Sequence, residues 1–125
     1  MERVKELSAG TLAFVGDAVF GLLVREKLAE TNRPSGELHR LSVKLVNAVA
    51  QAEGVAVIVP ELTERELWVF KRGRNFRTST TPKNATNAQY HTATGLEALF
   101  GYLYLSGNTD RAKQLFELIW NKFEV

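Results

Sequence analysis

Two short apolar segments, each interrupted by a single carboxylate, restrict this chain more than anything else in it. Ala13 to Gly21 reads AFVGDAVFG, and Ala93 to Gly101, eighty residues further on, reads ATGLEALFG. Positions four apart share one face of an α-helix, so Ala13, Asp17 and Gly21 form one stripe and Ala93, Glu97 and Gly101 another. Small residues on either side of each acid allow two helices to approach closely and bring both carboxylates into one place. Two like charges about 4 Å apart repel by roughly 4 kcal/mol at an effective dielectric near 20. Such a pair needs a shared proton, a basic partner or a divalent cation. Apart from Arg25 and Lys27, neither segment has a base nearby in sequence, and an oxygen-seeking cation such as Mg²⁺ suits two carboxylates. The competing reading has each acid pointing to solvent from its own amphipathic helix.

The rest of the pattern is helical as well. Ser8 or Thr11 can cap a first helix running to about Ala29, with Leu12, Val15, Val19 and Leu22 on its buried face. Thr31 to Gly36 is a polar connector, and a second helix follows in which Leu38, Leu41, Leu45, Ala48 and Ala52 keep helical spacing. The β-branched run Val55 to Val59 could form a strand, but no partner strand is visible and a buried helix end is the better reading. Thr63 and Glu66 have the spacing of a capping box for a short third helix carrying Leu67 and Phe70. Gly73 to Asn84, GRNFRTSTTPKN, reads as a loop. A fourth helix covers about Ala85 to Ser106 with Gly107 as its C-cap. Thr109 is placed to cap a fifth, with Ala112, Leu115, Phe116, Ile119 and Phe123 inward. The expectation is a single all-α domain over residues 1–125.

Charge is uneven along the chain. No acid occurs between Leu67 and Leu96, while Lys71, Arg72, Arg74, Arg77 and Lys83 lie in that interval. A polyanion bound there would be delivered to Glu97. An ordinary solvated loop is the plainer alternative. With no cysteine in 125 residues, disulfides, thiolate chemistry and cysteine-ligated zinc are excluded. No run reaches the roughly eighteen apolar residues of a membrane span, and MERVKELSAG is too charged for a signal peptide, so a cytoplasmic protein is expected. His39 and His91 lack a neighbouring ligand or acid at useful spacing and read as surface or core histidines. Trp68 and Trp120 read as packing residues. Glu37 and Asp110 suit the first turns of their helices. No phosphate-binding loop, dinucleotide fingerprint or Ser-His-Asp set is present.

These residues carry a resemblance. LAFVGDAVFGLLVREKL resembles the signature helix of ribonuclease III, and LEALFGYLYLSG resembles that family's second acidic helix, of the form D-x-x-E-A-L-x-G. The tract KRGRNFRTSTTPKNATNAQYHTATGLEALFGYLYL closely resembles the Mini-ribonuclease III subfamily, a catalytic domain without a double-stranded-RNA-binding domain. The match spans nearly the whole chain.

The resemblance implies a helical bundle like the ribonuclease III endonuclease domain. It further implies a homodimer that cleaves double-stranded RNA with Mg²⁺, or Mn²⁺ in its place, leaving 5′-phosphate and 3′-hydroxyl ends. The implied role is maturation of the 23S ribosomal RNA precursor, with a ribosomal protein as a possible presence on the substrate and no membrane involved. The signature aspartate falls on Asp17 and the second-helix glutamate on Glu97, as catalytic and metal-holding residues. Lys71, Arg72, Arg74, Asn75, Arg77, Lys83 and Asn84 become the expected RNA contacts. Two positions depart from the larger relatives: Ala13 and Thr94 stand where those carry acids, so water and RNA phosphate must fill much of each cation's coordination sphere. Two other readings remain open on the sequence, a domain of this fold that holds RNA without cutting it and a purely structural helical protein.

Overall fold

A computed structural model describes residues 3–76 and 85–123 and places six α-helices and no strand among them: α1 (Ala9–Ala29), α2 (Ser35–Leu45), α3 (Ala48–Ile58), α4 (Glu64–Arg74), α5 (Asn87–Leu105) and α6 (Thr109–Lys122). The all-α expectation holds. α5 is the central helix, packed most extensively on α1, then on α4 and α3. Leu96, Ala98, Leu99 and Phe100 in its middle are fully buried. Phe20 of α1 meets Phe100 and Phe116 edge-on, with ring centroids 5.7 and 5.5 Å apart, a favoured aromatic geometry. This aromatic group joins α1, α5 and α6 in the larger of two apolar clusters.

Local chemistry sets the helix ends. Ser8 Oγ accepts from the Thr11 amide and starts α1. The Thr63–Glu66 capping box forms as its spacing predicts. A second box, unforeseen, joins Thr86 and Gln89 at the start of α5. Gly107, at φ 80°, lies one residue beyond the C-cap Ser106. The Asn108 amide there donates to Leu103 O and the Gly107 amide to Tyr104 O, the paired closure that favours glycine at this position.

Four expectations need correction. The second helix is two helices, broken at Val46–Asn47. Asn47 Oδ1 accepts from the Ala50 amide while its Nδ2 donates to Val43 O and Lys44 O, so this one side chain ends α2 and begins α3. Thr109 does not cap α6: Asn108 occupies that position without a side-chain cap, because closing α5 leaves no spacer residue. Gly73 and Arg74 belong to the last turn of α4 rather than to the loop. Leu22 is 54 % exposed instead of inward, since α1 is apolar on more sides than the core can cover. Residues 77–84 of the expected loop lie outside the described residues.

α6 is tied across the domain by Arg111. Its guanidinium donates to both Glu66 carboxylate oxygens, at 2.8 and 2.9 Å, and to the Glu61 carbonyl. The hydrogen bonds from Arg111 hold the buried Glu66 carboxyl below the usual range against the effect of its burial. Among the described residues no single helix is long and apolar enough to cross a membrane.

Candidate active site

α1 and α5 cross backbone to backbone. A Cβ added at Gly16 would stand 1.6 Å from the Glu97 carbonyl oxygen, and one at Gly101 would stand 2.0 Å from the Leu12 carbonyl oxygen. No side chain fits at either point. The stripe argument is right for Gly101 and wrong for Gly21, whose added Cβ would meet only the Arg25 guanidinium. The residue that lets α1 approach is Gly16, next to the acid rather than four positions from it.

The crossing brings the Asp17 and Glu97 carboxyls together on one pocket. Burial first, then the neighbouring Asp17 carboxyl, push the Glu97 pKa up from about 4.5 to about 8. Asp17 is exposed on the open side. The acids line a pocket of about 280 Å³ with Gly10, Ala13, Phe14, Phe76, Tyr90 and Thr94. The Phe76 ring lies against Gly10 and forms a wall there. Ala13 and Thr94, the two positions acidic in larger relatives, line the same pocket. Both are buried, and the Thr94 hydroxyl donates to the Tyr90 carbonyl.

The raised pKa has a consequence for stability. Between about pH 4.5 and pH 8 folded Glu97 holds a proton that the unfolded chain releases, so stability falls as pH rises through 8. Glu97→Gln is therefore expected to stabilise the metal-free protein at pH 9, by roughly 2–4 kcal/mol, and to change little at pH 5. Melting curves in EDTA at the two pH values test this; equal gains at both would mean that ionisation of Glu97 is not what strains the fold.

The basic turn borders the pocket. Gly73, within it, packs on Thr94, Gly95 and Ala98 of α5, the residues flanking Glu97. Lys71, Arg72 and Arg74 close α4 at the negative end of its dipole, and no carboxylate pairs with them among the described residues. Asn75 follows as the C-cap, its side-chain oxygen 3.4 Å from Arg74 Nε. Trp68 is 46 % exposed rather than packed; Arg65 and Arg72 stand over its ring at 5.0 and 4.9 Å. Arg77, Lys83 and Asn84 lie outside the described residues. Trp120 packs beside Phe116, His39 is exposed, and half-buried His91 lies against Tyr90.

Among the described residues no third acid or histidine joins the pair at metal-ligand distance. The donor set itself, two carboxylates open to solvent on one side, suits a hard divalent cation whose remaining ligands are water and phosphate. Sequence reasoning missed Gln51, a buried amide of α3 that faces Glu97. Its only signal is being polar in an otherwise apolar helix face.

The domain is thus a helical bundle with an acidic pair at its central crossing and, beside it, a basic turn without a carboxylate partner among the described residues. A model of the Ribonuclease III domain matches residues 10–108, and the chain belongs to the ribonuclease III family. It is an endoribonuclease of that type. It is 48 % identical over 118 residues to a Mini-ribonuclease 3 of Thermoanaerobacter sp. (strain X514), covering 94 % of this chain and 83 % of that one. A Mini-ribonuclease 3 of Streptococcus pneumoniae (strain ATCC BAA-255 / R6) is 39 % identical over 128 residues, covering 99 % of both. A crystal structure of a Fusobacterium nucleatum protein, 28 % identical, superposes with a TM-score of 0.86 over 96 % of this chain and 97 % of that one.

Proposed function

We propose that Asp17 and Glu97 are the catalytic acids of a divalent-cation-dependent endonuclease cutting double-stranded RNA. The observation that carries this is their convergence in one pocket, beside a basic turn that has no carboxylate partner among the described residues. Asp17 and Glu97 would hold Mg²⁺, or Mn²⁺ in its place, which when bound offsets the charge developing on the attacked phosphate and orients the water. Loading the site requires Glu97 to give up its proton, so cation affinity rises with pH up to about 8. The water oxygen joins phosphorus and gives up a proton to solvent, the bond to the 3′ oxygen breaks and that oxygen takes a proton from solvent, and the ends are 5′-phosphate and 3′-hydroxyl.

Lys71, Arg72, Arg74 and Asn75, at the end of α4, would contact the backbone of a bound duplex, with Arg77, Lys83 and Asn84 following in the chain. An A-form duplex is gripped through phosphates, 2′-hydroxyls and shape, because side chains do not read its narrow major groove. Replacing Arg72 and Arg74 by Gln is expected to weaken duplex binding and reduce the salt slope by one to two counterions, at roughly 0.7–0.9 for each phosphate no longer neutralised. Filter binding across a salt series measures it, and an unchanged slope would remove this turn from the RNA grip.

A second copy of the chain is the partner we assign to the outer face of α1. Phe14 is 81 % exposed and, with Ala18 and Leu22, continues an apolar stripe past Asp17. Beside it, Tyr104 helps to line a groove of about 630 Å³. Burying this face places two acid pairs in one particle, one for each RNA strand. Sedimentation at twice the monomer mass is expected; a monomer that cuts both strands would overturn it.

As the natural substrate we assign the precursor of 23S ribosomal RNA, processed in the cytoplasm with a ribosomal protein on the RNA, the role that the resemblance to Mini-ribonuclease III implies. A gel assay of a labelled generic duplex and a ribosomal-precursor stem, with Mg²⁺ or with EDTA, tests the activity. Discrete cuts that EDTA abolishes are the expected result. Retarded but uncut RNA of both kinds would leave a binding protein, the reading favoured by the absence of acids at Ala13 and Thr94.

A further inference from the structure

α3 carries one polar side chain on its buried face. Ala50, Gly54, Val55 and Ile58 share that face with Gln51, and Gln51 is 4 % exposed. An amide removed from water needs partners for its N–H groups, yet Gln51 Nε2 has none in hydrogen-bonding geometry. Leucine or methionine would fill the same space without stranding a donor, so packing does not account for glutamine here. α3 lies against α5, and the Gln51 side chain stands beside the Glu97 carboxyl, where it opposes the rise in its pKa. The two groups are close enough to interact but are not yet engaged in a well-formed hydrogen bond.

We propose that Gln51 is a positioning residue for Glu97: its Nε2 group donates to one carboxylate oxygen and leaves the other turned toward Asp17 and the pocket. The proposal rests on the reading of Asp17 and Glu97 as the cation-holding pair. In the metal-free protein Glu97 stands beside Asp17, and the amide donor waits unpaired. Once both acids are anions beside a cation, an oxygen of Glu97 on the protein side needs a donor that is not water, and Gln51 supplies it. Such outer partners fix the orientation of a ligating carboxylate, and their loss typically lowers metal affinity or activity about 10–100-fold.

Gln51→Met keeps the length and the apolar fit and removes the donor. Its melting temperature should equal or exceed that of the wild type, since an unpaired buried amide is lost. Turnover of duplex RNA should fall about 10–100-fold with KM for RNA unchanged. Mn²⁺ binding to the metal-free protein, followed by electron paramagnetic resonance without RNA, should weaken by a similar factor. Gln51→Leu, measured below its own melting temperature, serves if the methionine variant is unstable. Wild-type turnover and Mn²⁺ affinity in either folded variant would overturn the proposal. Asp17→Asn measured in parallel separates the two levels. If it cuts and binds Mn²⁺ like the wild type, the acid-pair reading fails and Gln51 with it; if it is inactive while the Gln51 variants are normal, only the role of Gln51 fails.

Discussion

Asp17→Asn is expected to lower cleavage of duplex RNA by on the order of 10²–10³-fold or more while leaving the melting temperature within a few degrees of the wild type. The two halves of that expectation have separate causes. Asp17 projects from the exposed side of α1 and contributes nothing to the apolar clusters, so the fold does not depend on it. Its charge is another matter, because it is the more accessible half of the carboxyl pair. Asparagine keeps the size and can still donate to Glu97, but it removes the negative charge proposed to hold a cation. Single-turnover cleavage beside a thermal melt separates loss of chemistry from loss of structure. A folded variant that cuts at the wild-type rate would remove Asp17 from the reaction.

The second large effect is structural. Gly16→Ala and Gly101→Ala are each expected to destabilise the protein by at least about 3 kcal/mol, which corresponds to roughly 10 °C or more in melting temperature for a domain of this size. The smallest possible side chain would have to displace a carbonyl oxygen 1.6 Å away at Gly16 or 2.0 Å away at Gly101. Backbone cannot swing aside as a rotamer can, so α1 and α5 must separate. Gly21→Ala is the control. Its new methyl meets only the movable end of Arg25, and alanine for glycine within a helix tends to stabilise by about 0.5–1 kcal/mol. Equal melting of all three variants would mean that the helices do not touch at Gly16 and Gly101.

Features decided by short-range chemistry were the most legible in the chain. The Thr63–Glu66 box and the stop at Gly107 depend on residues within one turn, and both are found where the spacing puts them. The convergence of Asp17 and Glu97 was one of two readings of the pattern, and the other, acids turned to solvent, holds in part for the exposed Asp17. Gly16 was hidden by the argument that found the pair. Steps of four from Asp17 lead to Gly21, whereas the contact is made by the preceding residue, about 100° round the helix. The outward turn of Leu22 was hidden because α1 is apolar on both its core face and its outer face, and periodicity cannot say which is which. The break at Asn47 was masked by Leu45, Ala48 and Ala52, which keep the helical period across it. Gln51 escaped because a lone amide in a helix is ordinarily solvated, and only packing of α3 on α5 buries it.

The main-chain contact at Gly16 and Gly101 also decides which parts of the molecule can be altered independently. Where the acid-bearing helices cross, the Glu97 and Leu12 carbonyl oxygens occupy the places that side chains at Gly16 and Gly101 would need, so main chain limits the approach there, whereas Phe116 of α6 packs on Phe20 away from that contact. An engineer could therefore exchange aliphatic and aromatic residues around α6 for a higher melting temperature without detuning the acids. Sequence drift in that half of the domain would leave the reacting geometry where it was.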